Sequence, residues 1–188
     1  MITVCDRPMD GIIVLELNIS FQEGLEHMVT YDQQELRCLG IEDAFVQENQ
    51  SKSQKNVLRG LHFQQEYDQA QIVRVLKGEA YDVVVDVRRE SKTFGKYYGV
   101  YLTAENRKMI YMSKGFAHGF LTLSDELIMH YKCSQYYHPE DEAGIRFDDA
   151  EVAIPWPIGQ REDLILSEKD LKYPTLQEYV KLRERKFK

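Results

Sequence analysis

Short apolar runs, some alternating with polar residues and some continuous, recur along most of the chain, and glycine and polar residues separate them. Runs of about four to eight residues that are bounded by glycine or polar residues are typical of β-strands. Many such runs at close spacing favour a sandwich or a barrel. The runs that meet this description are residues 11–17, 44–51, 56–63, 70–76, 80–88, 97–103, 108–113, 117–123 and 126–134. The pattern therefore predicts a mainly β protein, with a hairpin at Lys77–Gly78.

One helical pattern lies at the end of the chain. Thr175 and Glu178 have the spacing of a capping box, in which each residue hydrogen-bonds the backbone of the other, and apolar residues follow at Leu176, Tyr179 and Val180. The basic run "KLRERKFK" suits the C-terminal end of a helix and a solvated tail. We therefore expect a short helical segment and tail over residues 175–188.

The stretch "VLRGLHFQ", residues 57–64, combines a strand pattern with two cations. In a regular strand, Arg59 and His62 would lie on opposite faces, because they are three positions apart. Gly60 lies between them, and glycine tolerates the backbone of a β-bulge, which turns a side chain toward the other face. The sequence thus predicts a bulge at Gly60 that points both side chains inward.

Bulk properties limit the class of protein. The chain has 188 residues, 43% of them hydrophobic, which predicts one domain over residues 1–188. Its net charge of -7 argues against a nucleic-acid partner, since such proteins carry a basic surface. An anionic ligand must therefore be held by local cations.

The cysteines and the N-terminal segment bear on location. Cys5, Cys38 and Cys133 are odd in number and lack C-x-x-C spacing, which indicates neither a disulfide framework nor a thiolate metal site. The start "MITVCDRPMDG" has no signal-peptide pattern, and no apolar run approaches about 18 residues. We expect a cytoplasmic protein with no membrane partner.

Several motifs together resemble the dTDP-4-dehydrorhamnose 3,5-epimerase family. They are "NVLRGLHFQ", "QAQIVRVLKGEAYDVVVDVRRESKTFGKYYGVYLTAEN", "GFAHGFLTLSDE", "HYKCSQYY" and "LSEKD", and they cover roughly residues 44–174 in the family's order. The resemblance implies a cupin-type jelly-roll β-barrel and a homodimer. It also implies an epimerase that inverts C3 and C5 of a nucleotide-activated 4-keto-6-deoxy sugar, with no metal and no redox cofactor.

The resemblance assigns three catalytic residues. His62 matches the base that removes a proton beside the ketone, a task that suits an imidazole because its pKa lies near neutral pH. Asp170 matches the carboxylate that orients this histidine. Tyr131 matches the acid that returns a proton on the opposite face of the sugar.

Five further positions match residues of the substrate pocket. The resemblance places Arg59 near phosphate or the ketone, a contact that a guanidinium makes well, and places His118 near the sugar or the pyrophosphate. The remaining matches are Gln47, Asn49 and Gln71. Read without the resemblance, His118 is equally well a histidine among the core aromatics Phe116 and Phe120.

Two positions depart from the family pattern. Gln71 stands where the family has a lysine that supplies positive charge to the enolate oxygen, and a glutamine donates a hydrogen bond without that charge. Near the N-terminus, Glu23 stands where an arginine is expected, and an acid that faces a pyrophosphate repels it. The departures spare His62, Asp170 and Tyr131, so we retain epimerase chemistry and leave the nucleotide and the sugar open.

Three alternatives remain. The first is an epimerase that inverts only C3 or only C5, since Gln71 alters the support for the enolate. The second is a non-catalytic cupin that binds a sugar nucleotide. The third is a metal cupin, which the scattered histidines disfavour, because metal sites usually gather three or more ligands and no H-x-H pair is present.

Overall fold

A computed structural model describes residues 1–186 of the chain, with side chains through Glu184. The described strands are β1 (Ile2–Met9), β2 (Ile12–Leu17), β3 (Ser20–Gln22), β4 (Leu25–His27), β5 (Gln47–Gln54), β6 (Leu58–Gln64), β7 (Gln71–Lys77), β8 (Glu79–Asp86), β9 (Tyr97–Thr103), β10 (Lys108–Met112), β11 (Phe116–Thr122), β12 (Glu126–Cys133) and β13 (Glu142–Gly144). The described α-helices are α1 (Gln33–Cys38) and α2 (Leu176–Lys186).

The strands form two main antiparallel sheets. One has six strands in the order β1-β2-β10-β7-β12-β5, and the other has five in the order β13-β6-β11-β8-β9. The sheets pack face to face, since Val73 of β7, Ile110 of β10 and Val84 of β8 belong to one buried cluster. This arrangement is a jelly roll, and the predicted mainly β fold is confirmed.

The outer face of each sheet is partly covered. On the five-stranded sheet, Val83 and Val85 of β8 pack with Phe147, from the chain after β13, and with Leu176 of α2. On the six-stranded sheet, Leu36 of α1 packs with apolar residues of β2 and β10. The long segments outside the sheets thus bury apolar area that the strands would otherwise expose.

The C-terminal helix begins as predicted. Thr175 N donates to Glu178 Oε2 at 2.8 Å and Glu178 N donates to Thr175 Oγ1 at 3.2 Å, so the capping box is confirmed. Residues 187–188 of the predicted tail lie outside the described residues.

Several elements differ from the prediction. Strands β1, β3, β4 and β13 and helix α1 were not predicted, because each is short or rich in polar residues and has no clear period. For α1 the sequence does carry a signal: Asp32 Oδ1 accepts from the backbone N–H groups of Gln34 and Glu35, as an N-cap does.

The predicted hairpin at Lys77–Gly78 is wrong. β7 pairs with β10 and β12, whereas β8 pairs with β9 and β11, so Gly78 carries the chain from one sheet to the other. Gly78 has φ +82°, and a Cβ there would lie 2.1 Å from Glu126 O. Glycine is needed because of this crowded, left-handed turn, and sequence alone does not distinguish such a turn from a hairpin.

Candidate active site

A cavity of about 390 Å³ lies between the two sheets. Each sheet contributes one wall. The six-stranded sheet contributes Gln47, Asn49, Gln71, Tyr131 and Cys133, and the five-stranded sheet contributes Arg59, His62, His118 and Phe120. Seven of the eight predicted site residues therefore line a single cavity, and the eighth, Asp170, lies behind His62.

Strand register arranges the wall from the six-stranded sheet. Tyr131 of β12 is opposite Asn49 of β5, and Cys133 is opposite both Gln47 and Gln71 on the flanking strands. Residues directly opposite one another in a sheet point to the same face, so the phenol, the thiol and the amides all point into the cavity. Gln47 Nε2 donates to Asn49 Oδ1 at 3.0 Å, which fixes the two amides relative to each other.

The bulge at Gly60 is confirmed. His118 of β11 pairs with His62, but Phe120, two residues further on, pairs with Arg59, so β6 holds one extra residue. Gly60 has φ +126° and is joined to Leu61 by a cis peptide bond. The extra residue brings Arg59 and His62 to the same face, where both line the cavity.

His62 is held by a buried carboxylate. Its Nε2 donates to Asp170 Oδ1 at 2.5 Å, and Asp170 is only 1% exposed. Ser167 Oγ donates to the other carboxylate oxygen at 2.7 Å. Burial opposes ionisation of Asp170, but the hydrogen bonds from His62 and Ser167 outweigh it and keep the carboxyl pKa below its usual value. The anion thus fixes the ring and leaves Nδ1 for another partner.

His118 has a carboxylate of its own. Its Nε2 lies 3.0 and 2.9 Å from the two oxygens of Asp82, which is completely buried on β8. His118 alternates with Phe116 and Phe120 along β11 and lines the cavity. Its role in binding stays a prediction.

Arg59 is anchored to the backbone. Its Nη1 donates to Leu58 O and Ile165 O, both at 2.8 Å. Among the described residues it is the only lysine or arginine that lines the cavity. Among the described lining residues, fixed positive charge for an anionic ligand therefore comes from Arg59.

Tyr131 is a protonated phenol in this setting. Burial raises the pKa of its hydroxyl, and the neighbouring Cys133 raises it further. Burial also raises the pKa of the Cys133 thiol to about 11. The six-stranded wall is thus neutral at pH 7 and rich in hydrogen-bonding groups.

Glu142 and Tyr137 are polar cavity residues that were not predicted. Glu142 of β13 accepts hydrogen bonds from Tyr137 Oη at 2.9 Å and Tyr173 Oη at 2.7 Å, and it forms an ion pair with Lys169. Burial opposes its ionisation, but Lys169 and Tyr173 outweigh burial and lower its pKa. Burial and the Glu142 carboxylate raise the pKa of Tyr137 to about 12. The second tyrosine of the "SQYY" motif was the available sequence signal for Tyr137.

Other predicted features lie elsewhere or are not found. Glu23 occupies the exposed turn of the β3–β4 hairpin, with φ +42°, and does not line the cavity of this chain. Over residues 1–186, no group of three His, Cys, Asp or Glu side chains is placed to hold a metal ion. No helix in the same range is long and apolar enough to cross a membrane.

Comparison with known proteins identifies the family. A family model described as dTDP-4-dehydrorhamnose 3,5-epimerase matches residues 6–178. The chain belongs to the dTDP-4-dehydrorhamnose 3,5-epimerase family. A curated family member from Methanothermobacter thermautotrophicus is 46% identical over 170 residues, which are 90% of this chain and 92% of that protein. The family and the epimerase class predicted from sequence are therefore confirmed.

Solved structures agree in fold. An epimerase from Legionella pneumophila, in complex with dTDP-4-keto-L-rhamnose, superposes with a TM-score of 0.89 at 41% identity, covering 94% of each chain. ChmJ, a 3'-monoepimerase from Streptomyces bikiniensis in complex with dTDP-quinovose, has a TM-score of 0.84 at 29% identity, covering 92% of this chain and 87% of that one. Enzymes that differ in the number of inverted carbons thus share this fold.

Proposed function

We propose that this member of the dTDP-4-dehydrorhamnose 3,5-epimerase family inverts C3 and C5 of a nucleotide-activated 4-keto-6-deoxy hexose by acid–base enolisation. The observation that carries the proposal is the cavity in which the His62–Asp170 pair faces Tyr131 from the opposite sheet. Inversion needs a base on one side of the ring and an acid on the other, and two facing sheets supply them.

The proposed reaction proceeds in two proton transfers at each carbon. His62 Nδ1 takes the proton beside the ketone, and the electrons of the broken C–H bond form an enolate. Asp170 stabilises the resulting imidazolium, as in the triads of hydrolases. Tyr131 then donates its proton to the opposite face of the carbon. Exchange with solvent restores the imidazole and the phenol.

The developing enolate oxygen needs donors. Arg59 supplies charge, and Gln71 supplies an amide N–H from the facing wall. A preorganised donor at a developing oxyanion is worth about 100- to 1000-fold in rate. Gln47, Asn49 and His118 are proposed to bind the sugar or its pyrophosphate.

Proton NMR in deuterated water tests the proposal. The purified protein is incubated with dTDP-4-keto-6-deoxyglucose, and deuterium uptake is followed at C3 and C5. Both positions should exchange in the wild type, neither in His62→Ala, and both more slowly in Asp170→Asn. His130→Ala is the matched control, because His130 lies on β12 outside the cavity lining.

The outcomes separate the remaining candidates. Exchange at only one carbon would favour a mono-epimerase, a reading that the uncharged Gln71 and the fold shared with ChmJ keep open. Binding of the nucleotide sugar without any exchange, in a folded protein and with other sugar nucleotides as well, would favour the non-catalytic cupin.

We also propose a homodimer. The β3–β4 hairpin pairs only with itself among the described strands, and it carries Phe21, 73% exposed, and Leu25, 60% exposed. Large apolar side chains that are exposed together mark contact sites more often than free surface. We propose that a second copy of this chain packs against the two exposed apolar side chains of the hairpin.

We propose a cytoplasmic location as well. Cys5 and Cys38 are exposed free thiols, and Cys133 is a buried free thiol that lines the cavity. Free thiols of this kind are typical of proteins that work in a reducing compartment.

A further inference from the structure

A smaller cavity lies away from the candidate active site. It has a volume of about 150 Å³, and its lining includes Arg74, Arg107 and Lys108 together with Leu17, Met28 and Leu76. Side chains alternate along β7, so Arg74 points to the face opposite Gln71 and Val73. The two cavities are therefore on opposite faces of the six-stranded sheet.

Arg74 is a half-buried cation for which the described residues provide no counter-charge. In the described part of the chain, its guanidinium makes no hydrogen bond or ion pair. Its cross-strand neighbours are Met109 and His130, and His130 is already bonded to Glu48 at 2.8 Å. Burial lowers the pKa of Arg74, and no carboxylate raises it again. A charge that is partly withdrawn from water and left without a partner is costly to the fold.

Arg107 is also incompletely paired. It sits in the turn between β9 and β10 at φ +52°. Nη1 donates to Glu105 O at 3.2 Å, and Nη2 lies 3.7 Å from Glu16 Oε1. Its Nε is buried and has no hydrogen-bond partner among the described residues. The one ion pair that Arg107 forms among the described residues is with Glu16, and it does not satisfy Nε.

We infer that this cavity binds a small oxyanion, with a phosphate or carboxylate group held between the guanidinium groups of Arg74 and Arg107. Guanidinium donors form a planar fork that matches two oxygens of such a group. The apolar walls from Leu17, Met28 and Leu76 lower the local dielectric and strengthen the attraction. The overall charge of -7 gives no general attraction for anions, so binding depends on these side chains.

Calorimetric titration with inorganic phosphate at constant ionic strength tests the inference. The wild type should bind one phosphate that Arg74→Gln weakens roughly tenfold or more, since a charge-assisted hydrogen bond is lost. Arg37→Gln is the matched control, because Arg37 is an exposed arginine on α1 that lines no described cavity. It should bind phosphate within about twofold of the wild type.

Further variants locate the bound ion. Arg59→Gln should leave this phosphate in place; if it removes the signal and Arg74→Gln does not, the phosphate occupies the cavity between the sheets and the inference is wrong. Arg107→Gln and Arg74→Lys should each weaken phosphate binding. If Arg74→Gln does not fold, these two variants are used in its place to test the inference. Isobutyrate in place of phosphate shows whether the site takes carboxylates.

One outcome would assign Arg74 and Arg107 to a contact between two copies of the chain instead of an anion site. Sedimentation of each variant measures self-association. If Arg74→Gln weakens the association of two copies and phosphate binds neither protein, the guanidinium pairs with a carboxylate of a second copy and not with a free anion. Equal phosphate affinity in the wild type, Arg74→Gln and Arg107→Gln would also overturn the inference.

Discussion

Gln71 is a neutral donor at a position where the family resemblance leads one to expect a charged lysine. It lies on β7 beside Cys133, and it faces the wall that carries Arg59 and His62. Arg59 is the only arginine or lysine among the described lining residues, so in the proposed mechanism the enolate depends on fewer charges than a lysine-containing cavity provides. In the proposed mechanism, the hydrogen bond from Gln71 therefore contributes more to the stabilisation of the enolate.

Substitutions at Gln71 measure how much its hydrogen bond contributes to the rate of exchange. Gln71→Ala should slow deuterium incorporation by about 100-fold, because an oxyanion donor is lost. Gln71→Lys should exchange at the wild-type rate or faster, because lysine adds a charge at the same position. Gln50→Ala, on the exposed face of β5, is the control and should exchange as the wild type does. Wild-type rates in both Gln71 variants would show that the amide does not contact the enolate.

At the level of elements, β6 owes its shape to Gly60. A Cβ at this position would lie 2.4 Å from Gly119 Cα and 2.9 Å from His118 O, and φ is +126°. The bulge thus requires a residue without a side chain, both for its backbone angle and for the close approach of β11.

Gly60→Ala should therefore damage stability and activity together. We expect a loss of about 2–4 kcal/mol in the free energy of unfolding, measured by urea titration, and no detectable solvent exchange. Gly40→Ala is the control, since Gly40 has φ +87° but a Cβ added there would meet no heavy atom within 4 Å. Its free energy of unfolding should fall by only about 1–2 kcal/mol, the cost of a left-handed backbone at a residue with a Cβ, and its activity should remain. Similar losses in both variants would refute the role of close packing.

The connection from β8 to β9 is organised by one buried carboxylate. Asp86 accepts from Arg88 Nη2 at 2.7 Å, Ser91 Oγ at 2.5 Å and Thr93 Oγ1 at 2.6 Å. Burial opposes its ionisation, but these hydrogen bonds outweigh burial and lower the carboxyl pKa. The charged form is therefore part of the folded state.

The stability that Asp86 provides should depend on pH. Its pKa is lower in the folded than in the unfolded chain, where it is about 3.9, so its contribution is complete above about pH 4 and is lost as the pH falls through the folded-state value. At pH 7, Asp86→Asn should cost about 2–4 kcal/mol in urea unfolding. The difference from wild type should shrink below pH 4, whereas exposed Asp125→Asn should show little difference at any pH. A pH-independent difference would contradict the account.

At the scale of the whole molecule, the β3–β4 hairpin pairs only with itself among the described strands and exposes two apolar side chains, Phe21 and Leu25. If a second copy covers it, charge placed there should separate the copies. Phe21→Asp should raise the dimer dissociation constant at least tenfold by sedimentation equilibrium, because a buried apolar contact is replaced by a desolvated charge. Leu182→Asp, on the exposed side of α2 and 51% exposed, is the control and should leave association unchanged. A monomeric wild type would refute the proposed homodimer.

Local periodicity and motif order were sufficient for much of this protein. Apart from β1, the apolar runs predicted the long strands, because period-two burial is a local property of the chain. Gly60 between two cations predicted the bulge, since only a few residues share that backbone freedom. The ordered motifs around His62, His118 and Tyr131 indicated the family, and with it the cavity residues.

Tertiary structure decided the contacts that no local pattern encodes. His62 and Asp170 are 108 residues apart, and only the packing of the two segments brings them to 2.5 Å. Glu142 lies on a three-residue strand, where its role depends on the approach of Tyr137, Tyr173 and Lys169. The sheet change at Gly78, and the lack of a counter-charge for Arg74 among the described residues, are likewise set by neighbours that are distant in sequence. The sequence thus determined most of the strands, the bulge and the chemistry of the side chains, whereas long-range packing determined which of those side chains meet.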